Sequence, residues 1–317
     1  MKSFVKFLTS SKGLKTNFIL ILLTASFLPA RNYFNSLKLD QSKPLVRPIN
    51  QQVSSISKYP INHTGQLAPY LSAQSAIVVD ADSKAILYTK NPNQKLLPAS
   101  ITKIMTALIT LETYKLDDVV TVKSLETEGQ TMELELNEKI TVENLLYGLL
   151  VQSGNDAAVV LAQFHPEGQK GFIKAMNNKL VELNLHDTQF QNPSGLDEYG
   201  HYTTVHDLSL LAAHAMENKT FAKIVSTQNI TVFNLDHTIT HELKTINQLL
   251  GQITGIKGVK TGWTELAGEC LVTLTQRNHQ EIITVVLGSS DRFKESSSLI
   301  DWAFTNHQWT EVQTTTD

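Results

Sequence analysis

The chain has 317 residues, of which 41% are hydrophobic, and a formal net charge of −3 at pH 7. This is enough apolar sequence for one large globular domain or two small ones. The balanced charge and the lack of a long basic block argue against a nucleic-acid partner. The single cysteine, Cys270, excludes an internal disulfide and any metal site built on several thiolates. We expect it to be a buried structural thiol.

Residues 1–30 are predicted to direct export. Several lysines precede an apolar run from Phe18 to Leu28, which is shorter than the roughly 20 residues that span a bilayer as a helix. A cleaved signal peptide is therefore favoured, although Ala30 gives no clean cleavage site and an uncleaved anchor stays open. In both cases the rest of the chain would lie outside the membrane, which it would contact only through this segment.

Residues 31–71 are rich in Pro, Asn, Gln and Ser and predict an extracytoplasmic linker. The folded domain is expected over residues 72–308, followed by a loose tail over 309–317. Apolar periodicity and turn residues predict its elements in chain order. Strands are predicted at 76–80, 85–88, 119–122, 132–136, 230–233, 271–274 and 282–287, and helices at 100–108, 141–150, 155–163, 168–183, 205–216 and 292–304. Strands at both ends with helices between them predict an α+β domain, in which N- and C-terminal strands could share one antiparallel sheet.

The first chemical motif is Ser100-Ile101-Thr102-Lys103, at the start of an apolar helical run. Residues three apart lie on one face of a helix, so Lys103 can reach the Ser100 hydroxyl. A serine nucleophile needs a neighbouring base, and a lysine can serve if burial or a second cation lowers its pKa.

Two further motifs follow downstream. Ser153 and Asn155 lie at a helix–helix junction, where they can present a hydroxyl and a carboxamide to one cleft, although Ser153 could also be only a helix cap. Lys260-Thr261-Gly262, expected just before a strand, supplies a positive charge, a hydroxyl donor for a carboxylate and a backbone without a side chain. Each of these motifs is weak alone.

In this order, the three motifs resemble those of the penicillin-recognising serine enzymes. The flanking sequence is similar to the D-alanyl-D-alanine carboxypeptidases, the low-molecular-weight penicillin-binding proteins, over residues 72–305. The similar stretches are Leu97–Ala107, Ser153–Ala158, Phe172–Asn177, Phe190–Asp197, His201–Leu208 and Lys260–Val272. The resemblance implies the penicillin-binding-protein/β-lactamase-like transpeptidase fold, an antiparallel sheet packed with a helical subdomain.

The resemblance also implies residue roles. Ser100 would attack the D-Ala–D-Ala bond of a peptidoglycan stem peptide, and Lys103 would take its proton. Ser153 and Lys260 would pass a proton to the leaving D-alanine. Backbone N–H groups of Ser100 and Trp263 would hold the oxyanion. The substrate-binding residues would be Asn155 for the substrate amide, and Thr261, backed by Lys260 and flanked by Gly262 and Trp263, for the carboxylate.

The resemblance implies no cofactor, β-lactams as covalent inhibitors, and a monomer. The sequence also departs from the family pattern. Trp263 stands where relatives often carry His or Tyr, and the stretch around Lys244 lacks an arginine that helps to bind the carboxylate in some relatives. We expect Lys244 to take the place of this arginine.

Three alternatives remain. A D,D-endopeptidase would use the same residues. A class A-like β-lactamase would need a glutamate for deacylation, and Glu198 is the candidate by position. A penicillin- or cell-wall-binding domain with a silenced active site would still bind its ligand after Ser100→Ala. No His-Glu-x-x-His motif is present, and His201 and His206 are expected to be surface or packing residues, so no metal site is predicted.

Overall fold

A computed structural model of the protein describes residues 58–125 and 128–311. The signal prediction for residues 1–30 and the first part of the predicted linker lie outside these residues. Within the described residues, no helix has both the length and the hydropathy that a membrane span requires.

The described chain contains eleven strands and seven α-helices. The strands are β1 (Lys58–Asn62), β2 (Ser75–Asp80), β3 (Ile86–Lys90), β4 (Val119–Thr121), β5 (Lys139–Thr141), β6 (Asn229–Phe233), β7 (Thr240–Lys244), β8 (Ile256–Thr264), β9 (Gly268–Arg277), β10 (Gln280–Ser289) and β11 (His307–Glu311). The helices are α1 (Lys103–Thr113), α2 (Val142–Leu150), α3 (Asn155–Gln163), α4 (Gly168–Glu182), α5 (Val205–Glu217), α6 (Lys219–Val225) and α7 (Arg292–Asn306).

Strands from both ends of the domain form one sheet, in the order β3-β2-β10-β9-β8. Every neighbouring pair is antiparallel, and β2 from the N-terminal side pairs directly with β10. The predicted α+β class with an antiparallel sheet shared by N- and C-terminal strands is therefore confirmed.

Both faces of this sheet are buried. Alternate residues of a strand point to opposite faces, and in β2 Ile77 and Val79 join one apolar cluster whereas Ala76 and Val78 join another. Helix α7 covers the second face, and α5 contacts the first. The first cluster extends into the helical part of the molecule, where the first eight residues of α1 are all buried.

The predicted helices are present within one or two residues of their expected ends, apart from the first. There the chain begins with a 3-10 turn at Ala99–Thr102 before it continues as α1. Thr141 caps α2, because its hydroxyl accepts the Asn144 backbone N–H at 3.3 Å. Helix α6 and strand β7 had no clear sequence signal.

One expectation about a strand is wrong. Residues 132–136 form no strand, because Asp156 and Glu138 bind the backbone N–H groups that a sheet partner would need. The Lys260-Thr261-Gly262 motif precedes strand β9, as expected, but it also belongs to a strand that was not predicted. It lies within β8, at the edge of the main sheet, where Gly262 pairs with Cys270 of β9.

The ends of the folded unit differ from the predicted boundaries. Strand β1 lies inside the predicted linker 31–71, and β11 crosses into the predicted tail 309–317. The two strands pair antiparallel, from Lys58 opposite Glu311 to Asn62 opposite His307. Local sequence gave no indication of this pairing because it joins segments about 250 residues apart, which no short window of sequence reveals.

Candidate active site

The nucleophile candidate lies on the turn that opens the central helix. Ser100 is the second residue of the 3-10 turn, and Lys103 is the first residue of α1. The Lys103 Nζ atom lies 2.8 Å from the Ser100 Oγ atom. Ala99, just before the serine, has φ 48°, in the left-handed region that is uncommon for a residue with a Cβ atom. The backbone is thus held in a strained conformation beside the reactive hydroxyl.

Lys103 is fully buried and has two further partners. Its Nζ atom lies 2.6 Å from Asn155 Oδ1 and 2.6 Å from the Ser194 carbonyl oxygen. Burial lowers the pKa of Lys103 well below its usual value, and the charge of Lys260 lowers it further, against the opposing charge of Asp156. A neutral amine has two N–H donors and one lone pair. The two oxygens accept the donors, which leaves the lone pair facing the Ser100 hydroxyl.

The second lysine pairs with the second serine. The Lys260 Nζ atom lies 2.8 Å from Ser153 Oγ and 3.0 Å from the Thr261 carbonyl oxygen, and the residue is 2% exposed. Burial, with a contribution from the charge of Arg292, lowers the pKa of Lys260 to about 7. Ser153 has φ 63°, so this hydroxyl is also presented by a left-handed residue just ahead of α3. Ser153 can therefore exchange a proton with an amine that titrates near neutral pH.

Asn155 connects Lys103 to one wall of the site. Its backbone N–H donates to the Gln130 carbonyl oxygen at 2.7 Å, and its side-chain Nδ2 donates to the Glu128 carbonyl oxygen. The next residue, Asp156, is buried and accepts backbone N–H groups from Met132, Leu134 and its neighbour Ala157. Residues 128–134 are thus held against the start of α3 through their backbone.

Strand β8 forms the opposite wall. The Thr261 hydroxyl is buried, has no partner among the described residues and lines the cavity. A Cβ atom at Gly262 would lie 3.0 Å from the Pro98 carbonyl oxygen, so a side chain here would force β8 and the nucleophile turn apart by a few tenths of an ångström. Trp263 is 62% exposed at the rim. The free hydroxyl at Thr261 leaves a hydrogen-bond donor available to a ligand.

Arg292 is a site residue that the sequence analysis missed. It is the first residue of α7, its Nη1 atom donates to the Gly262 carbonyl oxygen at 2.7 Å, and its buried Nε atom has no partner among the described residues. A cation at the first position of a helix is electrostatically unfavourable, because the N-terminal end already carries partial positive charge. This unfavourable position of a positive charge was the one signal in the sequence that could have indicated a role for Arg292. Lys244, the residue proposed to replace a missing arginine, is exposed and does not line the cavity.

The remaining candidates lie outside the reactive centre. His201 is buried, contacts Thr102 Oγ1 at 2.9 Å, and has its pKa lowered to about 4 by burial, so it packs as a neutral ring. Burial raises the pKa of Cys270 to about 11, as expected of a structural thiol. Glu198 accepts a hydrogen bond from Asn192 at 3.0 Å and does not line the cavity.

These residues surround one cavity of about 690 Å³. Six of the predicted residues line it, namely Ser100, Ser153, Asn155, Thr261, Gly262 and Trp263, together with Arg292. Lys103 and Lys260 each contact a serine that lines it. Within the described residues, no group of three His, Cys, Asp or Glu side chains could hold a metal ion. The arrangement therefore offers a serine nucleophile, two amines of lowered pKa and donors for an anionic group.

Comparisons with known proteins agree with this geometry. A family model described as D-alanyl-D-alanine carboxypeptidase matches residues 62–291. The chain is 34% identical to the D-alanyl-D-alanine carboxypeptidase DacF of Bacillus subtilis over 266 residues, which cover 80% of this chain and 67% of that protein. It is 31% identical to a D-alanyl-D-alanine endopeptidase of Escherichia coli over 74% of this chain and 78% of that protein.

A solved structure of a DD-peptidase also matches this chain. The crystal structure of the Streptomyces K15 DD-transpeptidase matches with a TM-score of 0.72 and 31% identity, over 76% of this chain and 100% of that chain. The chain spans about two thirds of the length of three curated carboxypeptidases, of which it covers 67%, 65% and 62%.

Proposed function

The chain belongs to the D-alanyl-D-alanine carboxypeptidase family, and we propose that it removes the terminal D-alanine from peptidoglycan stem peptides through an acyl-enzyme on Ser100. The observation that carries this proposal is the 2.8 Å contact between Lys103 and Ser100 in a buried site where the lysine pKa is lowered. This contact gives the hydroxyl the neighbouring base that a serine nucleophile needs.

In the proposed acylation step, the two amines of Lys103 and Lys260 take part in proton transfer. Lys103 accepts the proton of Ser100 as its oxygen attacks the carbonyl carbon of the D-Ala–D-Ala bond. The tetrahedral oxyanion is stabilised by the backbone N–H groups of Ser100 and Trp263, a contribution of about 3 kcal/mol for each such donor. Ser153, bonded to Lys260, delivers a proton to the departing nitrogen of D-alanine. Water then hydrolyses the ester and regenerates Ser100.

Substrate binding uses two donors that have no partner among the described residues. The terminal carboxylate of the peptide accepts hydrogen bonds from the Thr261 hydroxyl and from Arg292. Asn155 holds the substrate amide and, through Oδ1, Lys103. Because the carboxylate is recognised together with the bond that is cut, this site selects the C-terminal residue of the peptide.

The substrate class implies an extracytoplasmic location. The N-terminal 30 residues deliver the chain there and provide its only membrane contact, and the domain acts as a monomer. β-Lactams, whose ring carbonyl and carboxylate occupy the places of the scissile bond and the terminal carboxylate, acylate Ser100.

The test is the time-resolved mass of the full chain mixed with benzylpenicillin. We expect a penicilloyl adduct on Ser100 that persists for many minutes, and none on the Ser100→Ala variant, while Ser298→Ala, altered at a partly exposed position of α7, behaves as the wild type. Absence of an adduct on the wild type would contradict the active-serine proposal. Rapid loss of the adduct with turnover would instead identify a β-lactamase, a reading that the position of Glu198 away from the cavity does not favour.

A D,D-endopeptidase is the second candidate, favoured by the match to the Escherichia coli endopeptidase. Its reaction cuts the same kind of bond within a cross-link and uses the same residues. Incubation with a linear pentapeptide and with a cross-linked dimer separates the two activities. A carboxypeptidase releases free D-alanine from the linear peptide faster than it converts dimer to monomer, and an endopeptidase shows the reverse order.

A further inference from the structure

A buried ion pair lies behind the wall of the cavity, at residues that the proposed chemistry does not use. His241 of β7 and Glu138, just before β5, place Nε2 and Oε1 2.8 Å apart, with side chains that are 2% and 0% exposed. Taking charges out of water is costly unless they are paired and hydrogen-bonded. The burial of this pair therefore implies that it has a structural or functional role.

The partners of the ring determine its protonation. The second ring nitrogen, Nδ1, lies 2.9 Å from the Met132 carbonyl oxygen. The other Glu138 oxygen accepts the Glu135 backbone N–H at 2.9 Å. With Glu138 as a carboxylate, both oxygens beside the ring can only accept, so both ring nitrogens donate and His241 is an imidazolium.

The charges around the ring favour this state. Burial of the ring opposes its charge, but the hydrogen bond with Glu138 and the charge of that carboxylate raise the pKa of His241, with a smaller contribution from Asp156 of α3. On the paired strand β6, Val232 lies opposite His241. Of the described charged groups, Glu138 and Asp156 are the ones that act on the ring, and both are acidic.

A short chain of contacts leads from this ring to the base. His241 binds the carbonyl of Met132, whose N–H is bound by Asp156 at 3.0 Å. The residues just before Met132 line the cavity, and the carbonyls of Glu128 and Gln130 accept from Asn155. The Asn155 Oδ1 atom, in turn, accepts from Lys103 at 2.6 Å.

We propose that His241 is a positioning residue, which as an imidazolium holds the Met132 carbonyl and thereby keeps the 128–134 wall and the Asn155 carboxamide in the geometry that acylation of Ser100 needs. This proposal rests on the proposed function. It assigns different roles to the two ring hydrogen bonds, since the Nδ1 bond holds the wall and the Nε2 bond keeps the ring charged.

Two substitutions separate these bonds. In His241→Asn, the amide nitrogen can occupy the place of Nδ1 and keep the bond to Met132. In His241→Gln, it can occupy the place of Nε2 and keep the bond to Glu138 instead. The measurement is the second-order rate constant for acylation of Ser100 by benzylpenicillin, with the thermal unfolding midpoint of each variant. His206→Gln, at a half-exposed position on α5, is the matched control.

We expect His241→Gln to slow acylation by about 10-fold or more, because a displacement of about 1 Å in a positioned group can cost up to 100-fold. His241→Asn should stay within about threefold of the wild-type rate constant, whereas its unfolding midpoint should fall because the buried Glu138 charge loses its partner. A role in stability alone would lower both midpoints and leave the two rate constants of the folded protein equal. Equal rate constants for the two variants would therefore overturn the positioning role.

The protonation state is measured on the unaltered full chain. Nitrogen-15 NMR of the histidine rings, with the His241 signals assigned by their loss in His241→Asn, should show two protonated nitrogens at pH 7. One unprotonated nitrogen would overturn the proposal. A wild type that forms no penicilloyl adduct would refute the proposed function and, with it, the positioning role. An acylated wild type with an equally fast His241→Gln variant would refute the positioning role alone.

Discussion

Gly262 packs against Ser100 so closely that a Cβ atom added to it would lie 3.1 Å from the Ser100 backbone nitrogen. That nitrogen is one of the two proposed oxyanion donors, and the other belongs to Trp263, the next residue along β8. The third sequence motif therefore sets the distance between the two donors as well as supplying side chains.

Gly262→Ala tests this relationship. The methyl group must push β8 away from the nucleophile turn by a few tenths of an ångström, which separates the two N–H donors. We expect acylation by benzylpenicillin to slow by about 10- to 100-fold, because oxyanion donors act only in the right geometry. The unfolding midpoint should change little, since β8 is an edge strand. A variant acylated at the wild-type rate would contradict the proposed oxyanion site.

Arg292→Gln should weaken recognition of the substrate carboxylate. A hydrogen bond to a charged group contributes about 1.5–3 kcal/mol, so we expect kcat/KM for a peptide ending in D-Ala-D-Ala to fall by about 10- to 100-fold. Lys244→Gln is the matched control and should leave kcat/KM unchanged. If Lys244→Gln has the larger effect, the assignment of the carboxylate site to Arg292 is wrong.

The pH dependence of acylation should report on the two lysines. Lys103 acts as a base only when unprotonated, so the rate should fall as the pH falls through its lowered pKa. Part of that lowering comes from the charge of Lys260. In Lys260→Gln the pKa of Lys103 rises, and the acidic limb of the rate profile should move to higher pH.

The pH at the midpoint of the acidic limb is measured separately from the maximal rate, because Lys260→Gln also lowers the maximal rate. Lys257→Gln, at an exposed position of the same strand, should leave the limb unchanged. A limb that stays in place or moves to lower pH in Lys260→Gln would contradict the lowering of the Lys103 pKa by the charge of Lys260.

Asp156→Asn should have the opposite effect on the same limb. The Asp156 charge favours the protonated form of Lys103, so its removal should shift the acidic limb to lower pH. The amide group also replaces an acceptor by a donor where backbone N–H groups converge. We expect a loss of about 2–3 kcal/mol in the free energy of unfolding, measured by urea denaturation. Asp82→Asn, in an exposed turn, should change it by less than about 0.5 kcal/mol.

Much of the architecture could be predicted because its signals are local. The strands at 76–80 and 282–287 and the helices at 141–150 and 155–163 each show their own apolar pattern, and the structure confirms them. The motif residues meet around one cavity, as their order along the chain suggested. Their chemical roles remain predictions that the experiments above address.

What the sequence could not show depends on distant contacts. Residues 132–136 alternate like a strand, but their N–H groups bind Asp156, which lies more than 20 residues further along the chain. Arg292 reaches the cavity only because α7 begins beside β8. The Glu138–His241 pair joins residues that are 103 positions apart. Each of these features is visible only once the chain has folded.

The pairing of β1 with β11 places the two ends of the described chain side by side, which favours circular permutation of this fold. Lys58 lies directly opposite Glu311, so a short Gly/Asn loop could join them and turn the described chain into a ring. New ends could then be opened at the Asn278–His279 turn between β9 and β10, which contains no motif residue. Such a circular permutant should keep the same nucleophile turn and the same sheet order, because covalent continuity at that hairpin contributes little that the strand pairing does not already supply.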